Sequence, residues 1–214
     1  MNDLKIRCTP EPTLRRLPLY LGFLKGISDR GRNISCTQIA NEFGFDPTQV
    51  RKDIAQTGIV GTARIGYDTK DLILQIETFL GWNKKHEAFL AGAGNLGTAL
   101  LKYNLFKDEY GLDIVAVFEN DKAKQGTHIA GRKVLPVDKI TDLARRMHVP
   151  IGVIAIPPEA AQSVADRMIE GGIIGIWNFC PVALKVPEGI IVENARLSTS
   201  LAVLTGKLHN LLNA

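Results

Sequence analysis

Apolar positions along this chain repeat with two periods, and the change between them falls near residue 86. Ahead of it the spacing is helical: Leu14, Leu17, Tyr20, Leu21 and Leu24 recur at three- and four-residue steps from Thr13 to Ile27. Pro18 inside that run predicts a kink or the true start of the helix, since proline lacks an N–H and crowds the preceding turn. Pro10 and Pro12 predict irregular chain before it. Ser35, with Gln38 three residues on, reads as a capping box opening a short helix whose Ile39, Ala40 and Phe43 face inward. Gly44-Phe45 makes a turn; Asp46 caps the next helix, Pro47 takes its first position, and Gln49 closes a second capping box. Short β-compatible pieces broken by glycines from Gly58 to Tyr67 predict a hairpin. Asp68 or Thr69 then caps a helix with Leu72, Ile73, Ile76, Phe79 and Leu80 on one face, ended by Gly81. Trp82 to His86 reads as the join between two domains.

Beyond the join, strand and helix patterns alternate. Ala88 to Ala91 predicts a buried strand, followed by a helix over 95–106, a strand over 112–118, an extended stretch from Ile129 to Leu135 and a helix near 138–147. Ile151 to Ile156 is a continuous apolar run, as a central parallel strand requires, and Pro157-Pro158 ends it. A helix over 159–170, a strand from Ile173 to Trp177 and a last strand at Ile190-Ile191-Val192 complete the series. Repeated βα units predict a parallel sheet with right-handed crossovers, a Rossmann domain. Ligands of such a sheet lie at the C-terminal strand ends, where Gly92, Glu119, Pro157 and Phe179 fall. From Ser198 to Leu212 a final helix carries Leu201, Leu204, Leu208, Leu211 and Leu212 as a broad stripe, to be packed on its own sheet or on a second subunit.

Two stretches carry chemistry. Gly92, Gly94 and Gly97 stand in G-x-G-x-x-G spacing between strand and helix. The first permits the tight turn, the second lets backbone approach a pyrophosphate, and the third lets the helix pack on the strand; the helix N-terminus offers donors to the phosphates. Glu119 ends the next apolar run about 20 residues on, where a carboxylate accepts the ribose hydroxyls of NAD and repels the 2′-phosphate of NADP. The other stretch is the pair of short helices after Ser35, a helix-turn-helix. Its second helix presents Thr48, Gln49, Arg51 and Lys52, side chains suited to base edges and phosphates, and Arg64 near the hairpin tip suits a phosphate or minor-groove contact. Ser35 joins these as a candidate DNA-binding residue.

Composition adjusts the picture modestly. The 214 residues are 45% hydrophobic and 22% charged, enough to build real cores, and suit one large domain or two small ones. The net charge of +4 is uneven: residues 1–85 hold 13 Lys and Arg against 9 Asp and Glu, while residues 86–214 hold 13 of each. The basic excess therefore lies wholly in the first part, as an anionic partner would require. No apolar stretch is long enough to span a membrane, and the polar opening with Asp3, Lys5 and Arg7 lacks the core of a signal peptide. Scattered Cys8, Cys36 and Cys180 suggest reduced thiols in the cytoplasm, and no metal site is expected.

With Gln49-Val50-Arg51-Lys52-Asp53, Gly66-Tyr67, Gly92 to Leu101 with Tyr103, Pro158-Glu159-Ala160-Ala161-Gln162, Asn178-Phe179-Cys180-Pro181 and Val192-Glu193-Asn194 in order, the chain resembles the Rex family of redox-sensing transcriptional repressors over nearly its whole length. The resemblance implies a winged-helix domain at 1–85, a Rossmann NAD(H)-binding domain at 86–196 and a C-terminal helix at 197–214 swapped into the partner of a homodimer. It implies binding of a palindromic double-stranded DNA operator, release when NADH replaces NAD, and no catalysis. Carried over, the dinucleotide loop is Gly92, Ala93, Gly94, Asn95, Leu96 and Gly97, with Glu119 where the family usually has Asp. Tyr103, Phe179 and Pro181 fall beside the nicotinamide, with Pro157 at the neighbouring strand end, and Arg51 and Lys52 on the recognition helix.

The chain departs from the pattern in three respects. The family pairs an arginine on the first helix with an aspartate before the swapped helix, and Gly22 and Arg196 stand there instead. Ala63 precedes Arg64 where the wing usually carries Arg and then Gly. Trp177 and Cys180 replace smaller or less reactive residues, and Cys180 reads as a buried inert thiol ahead of a redox sensor. The first departure leaves open a DNA-binding protein that binds NAD(H) with altered or lost redox discrimination. An NAD-dependent dehydrogenase is the enzyme alternative, but His86, His128, His148 and His209 offer no convincing acid or base at the nicotinamide.

Overall fold

The computed structural model describes residues 9–29 and 33–213, so Cys8 and the polar opening before it lie outside the described residues. The chain divides into two compact units, Met1–Lys84 and Lys85–Ala214.

The first unit begins with helix α1, Glu11–Ile27, so Pro10 and Pro12 start a helix rather than preventing one. Pro10 is its N-cap and Pro12 lies in its first turn, where a missing N–H has no intrahelical partner to lose. Pro18 is neither the start nor the end; it sits inside α1, and the carbonyl it leaves unpaired belongs to half-exposed Leu14, within reach of water. Strand β1, Asn33–Ile34, leads to α2, Cys36–Phe43, opened by the expected reciprocal box between Ser35 and Gln38 and closed by Gly44 in the left-handed conformation. Helix α3, Pro47–Gln56, is capped by Asp46, which accepts the backbone N–H of Thr48 and Gln49 at 2.7 and 3.2 Å. The second capping box is only half formed, because the Gln49 amide turns to Asp53 instead, at 3.1 Å.

The hairpin expected over 58–67 shrinks to one bridge between Thr62 and Gly66. Strand β2, Tyr67–Asp68, pairs instead with β1. Gly66 explains the exchange: at φ 97 it lies so close to β1 that a Cβ would stand 2.2 Å from the Ile34 carbonyl oxygen. Helix α4, Thr69–Leu80, capped by Asp68, buries Leu72 and Ile76 against Leu17, Leu21, Leu24, Ile39, Val50 and Ile54. Tyr20 and Phe45 pack edge-on at 6.2 Å in the same core.

The second unit is a seven-stranded sheet. Strand β3 is His86–Ala91, so the join expected up to His86 stops short of it: His86 pairs with Leu112. Next come α5, Asn95–Lys102, the single turn α6, Leu105–Asp108, and β4, Leu112–Glu119. The helix expected over 95–106 is thus broken, because Tyr103 leaves helical geometry (ψ 87) and lays its ring against Phe106 at 4.8 Å. β5, His128–Ile129, and β6, Arg132–Pro136, form a hairpin turned by Ala130 and Gly131, both at positive φ. Then follow α7, Ile140–Met147, β7, Ile151–Ile154, α8, Pro158–Glu170, β8, Gly175–Asn178, β9, Ile191–Asn194, and α9, Leu197–Leu212. The order is β5-β6-β4-β3-β7-β8-β9, parallel except for β5.

Strand order reverses between β3 and β7, which puts a crevice at the carboxyl ends there. Alternation along β3 sorts the core: Phe89 and Ala91 join the cluster under α7 and α8, while Ala88 and Leu90 join the one that includes Leu100 of α5. Packing of α9 on its own sheet is overturned: Leu201, Leu204, Leu208, Leu211 and Leu212 are 50 to 76% exposed. Among the described residues no helix is long and apolar enough to cross a membrane.

Candidate functional site

Each glycine of the loop after β3 has its own reason to be glycine. Gly92 holds φ 110, and a Cβ there would meet the Ala155 carbonyl oxygen at 2.2 Å. At Gly97 a Cβ would come within 1.9 Å of the Gly92 carbonyl oxygen, so no larger residue lets α5 sit this close to the loop. Gly94 has nothing within 4 Å of where a Cβ would be, the open approach that a phosphate needs. Its position as N-cap of α5 comes with no side-chain cap, which leaves the donors of the first turn to a ligand. Ala93 is buried beneath, while Asn95 and Leu96 are exposed at the helix start. The residues present therefore fit a dinucleotide pyrophosphate.

Beside the loop opens a cavity of about 420 Å³, bounded by Glu119, Ile156, Pro157, Ser163, Val164 and Arg167 among others. Glu119 is organised beyond what its position alone implied. Its Oε2 accepts the Ala93 N–H at 3.0 Å, tying the end of β4 to the glycine loop, and its Oε1 accepts those of Asn120 and Asp121 at 2.7 and 3.1 Å. Burial alone would raise this carboxyl; the N–H groups of Asp121, Ala93 and Asn120, with Lys124 nearby, outweigh it and hold Glu119 below the usual carboxylate range. A carboxylate has about four acceptor positions, so three backbone bonds leave room for one ribose hydroxyl without rearrangement.

Tyr103, Phe179 and Pro181 do not line this cavity. Tyr103, nearly half exposed, packs on Phe106, Phe106 lies 5.3 Å from Trp177, and Trp177 lies 4.7 Å from Phe179. These rings form a continuous aromatic chain on the α5 side of the sheet. The loop after β8 is fixed by a residue that sequence reasoning passed over. Buried Asn178 donates to the carbonyls of Cys180 and Val182 and to Asn194, and accepts the Cys180 N–H at 3.0 Å. Burial pushes the Cys180 thiol up, and its Sγ donates to the Ile156 carbonyl at 3.0 Å, the setting of an inert thiol rather than a reactive one.

In the first unit, Thr48, Arg51 and Lys52 are exposed on α3. Ser35, Arg51 and Arg64 line one groove of about 470 Å³ between the start of α2, α3 and the 61–67 loop. Arg64 sits at the loop tip with φ 65, a backbone state that glycine adopts without strain. Gln49 departs from its expected place at a base edge: half-buried, it is held by Asp53. Asp53, visible in the sequence only as part of a motif, is the buried hub. It accepts from Thr13 (2.8 Å), Arg16 (2.6 and 2.8 Å), Tyr20 (2.8 Å) and Gln49, bolting α1 to α3. An Asp at i+4 from Gln49 on the inner face was the available signal; its partners on α1 lie 33 to 40 residues away.

Among the described residues no group of His, Cys, Asp and Glu is arranged to hold a metal ion. Fold and site together define a class: a DNA-binding regulator that carries a dinucleotide-type domain in the same chain.

Comparison with known proteins agrees. A family model described as a CoA binding domain matches residues 83–182, and one described as a putative DNA-binding protein N-terminus matches residues 9–55. The chain is 43% identical to a redox-sensing transcriptional repressor Rex of Bacteroides thetaiotaomicron, covering 96% of this chain and 94% of that one. It is 42% identical to a Rex of Desulforamulus reducens, covering 97 and 98%. Among solved structures, RSP in complex with β-NAD+ and operator DNA matches with a TM-score of 0.89 and 32% identity, covering 95% of this chain and 94% of that one. RSP in complex with β-NADH gives 0.86 and 32%, covering 94 and 95%. The chain belongs to the Rex family of redox-sensing transcriptional repressors.

Proposed function

We propose that this chain is a dimeric repressor that binds a palindromic operator through the winged helix and releases it when NADH occupies the Rossmann domain. Its role is that of a regulator and not of an enzyme, as in the relatives named as repressors. The observation that carries this reading is the presence in one chain of an exposed cationic helix, with Arg51 and Lys52, and a glycine loop built for a pyrophosphate at the switch point of a parallel sheet. The solved relative RSP binds β-NAD+ with operator DNA in one complex and β-NADH in another.

On this reading the domains are 1–85 for DNA, 86–196 for NAD(H) and 197–214 for dimerisation, in the cytoplasm. Ser35, Thr48, Arg51, Lys52 and Arg64 contact the operator, with Gln49 at the flank of the recognition helix. Gly92, Ala93, Gly94, Asn95, Leu96 and Gly97 hold the pyrophosphate, Glu119 a ribose hydroxyl, and Pro157, Tyr103 and Phe179 the remainder. The exposed leucines of α9 support a swapped helix: burying five leucine side chains is worth roughly 10 kcal/mol. NADH shifts the dimer only as far as it binds the DNA-free state better than the DNA-bound one.

The test is fluorescence anisotropy of a palindromic operator titrated with full-length protein, with NADH or NAD present. NADH should weaken binding strongly and NAD hardly at all. Equal effects of the two would remove redox sensing and favour the variant reading that Gly22 and Arg196 raise, in which the chain binds NAD(H) but does not discriminate.

A further inference from the structure

The cavity beside Glu119 covers only part of a dinucleotide. Val137, Ile156 and Val164 give it apolar walls, Glu119 stands at one end, and the half-buried Arg167 side chain lines it with no salt bridge or side-chain hydrogen bond among the described residues. An apolar slot with an unpaired guanidinium suits a purine, on whose face arginine stacks. Glu119 meets the ribose, and the open turn at Gly94 before α5 receives two phosphates. Purine, ribose and pyrophosphate are the whole of ADP. The rings matched to the nicotinamide, Tyr103 and Phe179, lie outside the cavity on Phe106 and Trp177.

We propose that ADP and ATP bind this cavity in their own right and compete with NADH, so that the adenylate level sets how much NADH is needed to release the operator. The proposal rests on the dinucleotide reading above. Adenylates lack the nicotinamide ring, so they have no group with which to favour one state of the regulator through Tyr103 and Phe179; they block the site without sending its signal. The selection also has a boundary. Glu119 is ionised and has one acceptor position to offer, which fits a free hydroxyl and opposes a 2′- or 3′-phosphate. NADPH and coenzyme A, which carry such phosphates, are excluded, although the model matching residues 83–182 is described as a CoA binding domain.

The experiment is NADH binding to the full-length protein, followed by nicotinamide fluorescence, in the presence of ADP, ATP, coenzyme A or nicotinamide mononucleotide. ADP or ATP at ten times its own dissociation constant should raise the NADH midpoint about 11-fold, as competition for one site requires. Coenzyme A and nicotinamide mononucleotide should leave it unchanged. Arg167→Ala should weaken ADP and NADH by the same factor, about five-fold for a stacked guanidinium. NADH binding with a midpoint indifferent to millimolar ADP and ATP overturns the proposal and leaves the dinucleotide reading intact. Failure of NADH itself to bind overturns that reading too. Competition by coenzyme A as strong as that by ADP overturns the role given to Glu119, and an Arg167→Ala loss confined to NADH overturns the shared site.

Discussion

Asp53→Asn is the substitution to which the winged-helix domain should be most sensitive. The carboxylate is fully buried and takes five hydrogen bonds, three on Oδ1 and two on Oδ2. Asparagine keeps the shape but turns one of those acceptors into a donor facing other donors, and leaves the Arg16 guanidinium without its counter-charge. Removing one partner of a buried pair costs about 3–5 kcal/mol. The Arg16 side chain retains 22% exposure and can turn toward water, which places the expected loss near the lower end, about 3 kcal/mol. Hydrogen exchange in full-length protein measures it in the right place: amides of α1 and α3 should lose protection by that amount while those of β3 and β4 keep theirs. A loss below about 1 kcal/mol would refute the hub, since even a single unsatisfied buried group costs that much.

The same group has a pH signature. Burial alone would raise the Asp53 carboxyl, but the bonds from Arg16, Thr13, Tyr20 and Gln49 outweigh it and hold the value below the ordinary carboxylate range. A depressed value means that the stabilisation is fully present above the unfolded value, near pH 4, and disappears as pH falls through the folded value below it. Asp53→Asn should therefore flatten the acid limb of the first unit's stability and leave neutral to alkaline pH dependence unchanged. Tyr20 works at the opposite end: burial, then its bond to Asp53, raises its phenol, so its contribution persists at neutral pH and is lost only as pH rises beyond the ordinary tyrosine range.

Gly97→Ala puts a Cβ against the Gly92 carbonyl and should cost about 1–3 kcal/mol of stability while sharply weakening NADH binding by calorimetry, whereas Gly94→Ala, in open space, should leave stability unchanged and weaken binding only through the ligand. Lys52→Ala should weaken operator binding across sequences alike and lower the slope of log affinity against log salt by about 0.9. Leu204→Glu with Leu208→Glu, on the exposed face of α9, should give monomers in analytical ultracentrifugation with the circular dichroism of the fold retained; a stable dimer would assign dimerisation elsewhere. Phe179→Ala should change the ratio of NADH to NAD affinity and leave the effect of ADP on the site untouched.

Local signals in the sequence were reliable where the chemistry itself is local. The Ser35–Gln38 box, the Asp46 and Asp68 caps, Gly44 and Gly81 as helix ends, and Gly97 against Gly92 each depend on neighbours within a few residues, and each stands where its spacing indicated. Errors fell where a distant partner decides. Gln49 has two acceptable bonds, one to its own N-cap region and one to Asp53, and the second wins because four other donors already fix that carboxylate. The hairpin after Gly58 lost to a pairing with β1, some 34 residues earlier, that only the close approach at Gly66 makes possible. Glu119 was legible as a carboxylate at the right strand end, but its bond to Ala93 spans 26 residues and was not.

The geometry also restricts where redox discrimination can arise. NADH and NAD differ only in the nicotinamide ring, so contacts to adenosine and pyrophosphate bind both alike, and a ligand that binds two states alike shifts nothing however tightly it binds. As the proposed site for adenosine and pyrophosphate, the cavity at Glu119 and the α5 terminus would supply affinity and no signal. Moving a regulator from almost wholly bound to almost wholly released takes about a 10⁴-fold preference for one state, and that preference has to come from groups near the ring. On the site assignment proposed above those are Tyr103, Trp177 and Phe179, aromatic residues linked through Phe106 rather than through charges. Packing of this kind is insensitive to salt, unlike the operator contacts proposed for Arg51 and Lys52, which it must ultimately oppose. The NADH preference should consequently hold its size across ionic strength while operator affinity falls steeply, and the two dependences can be separated in one titration series.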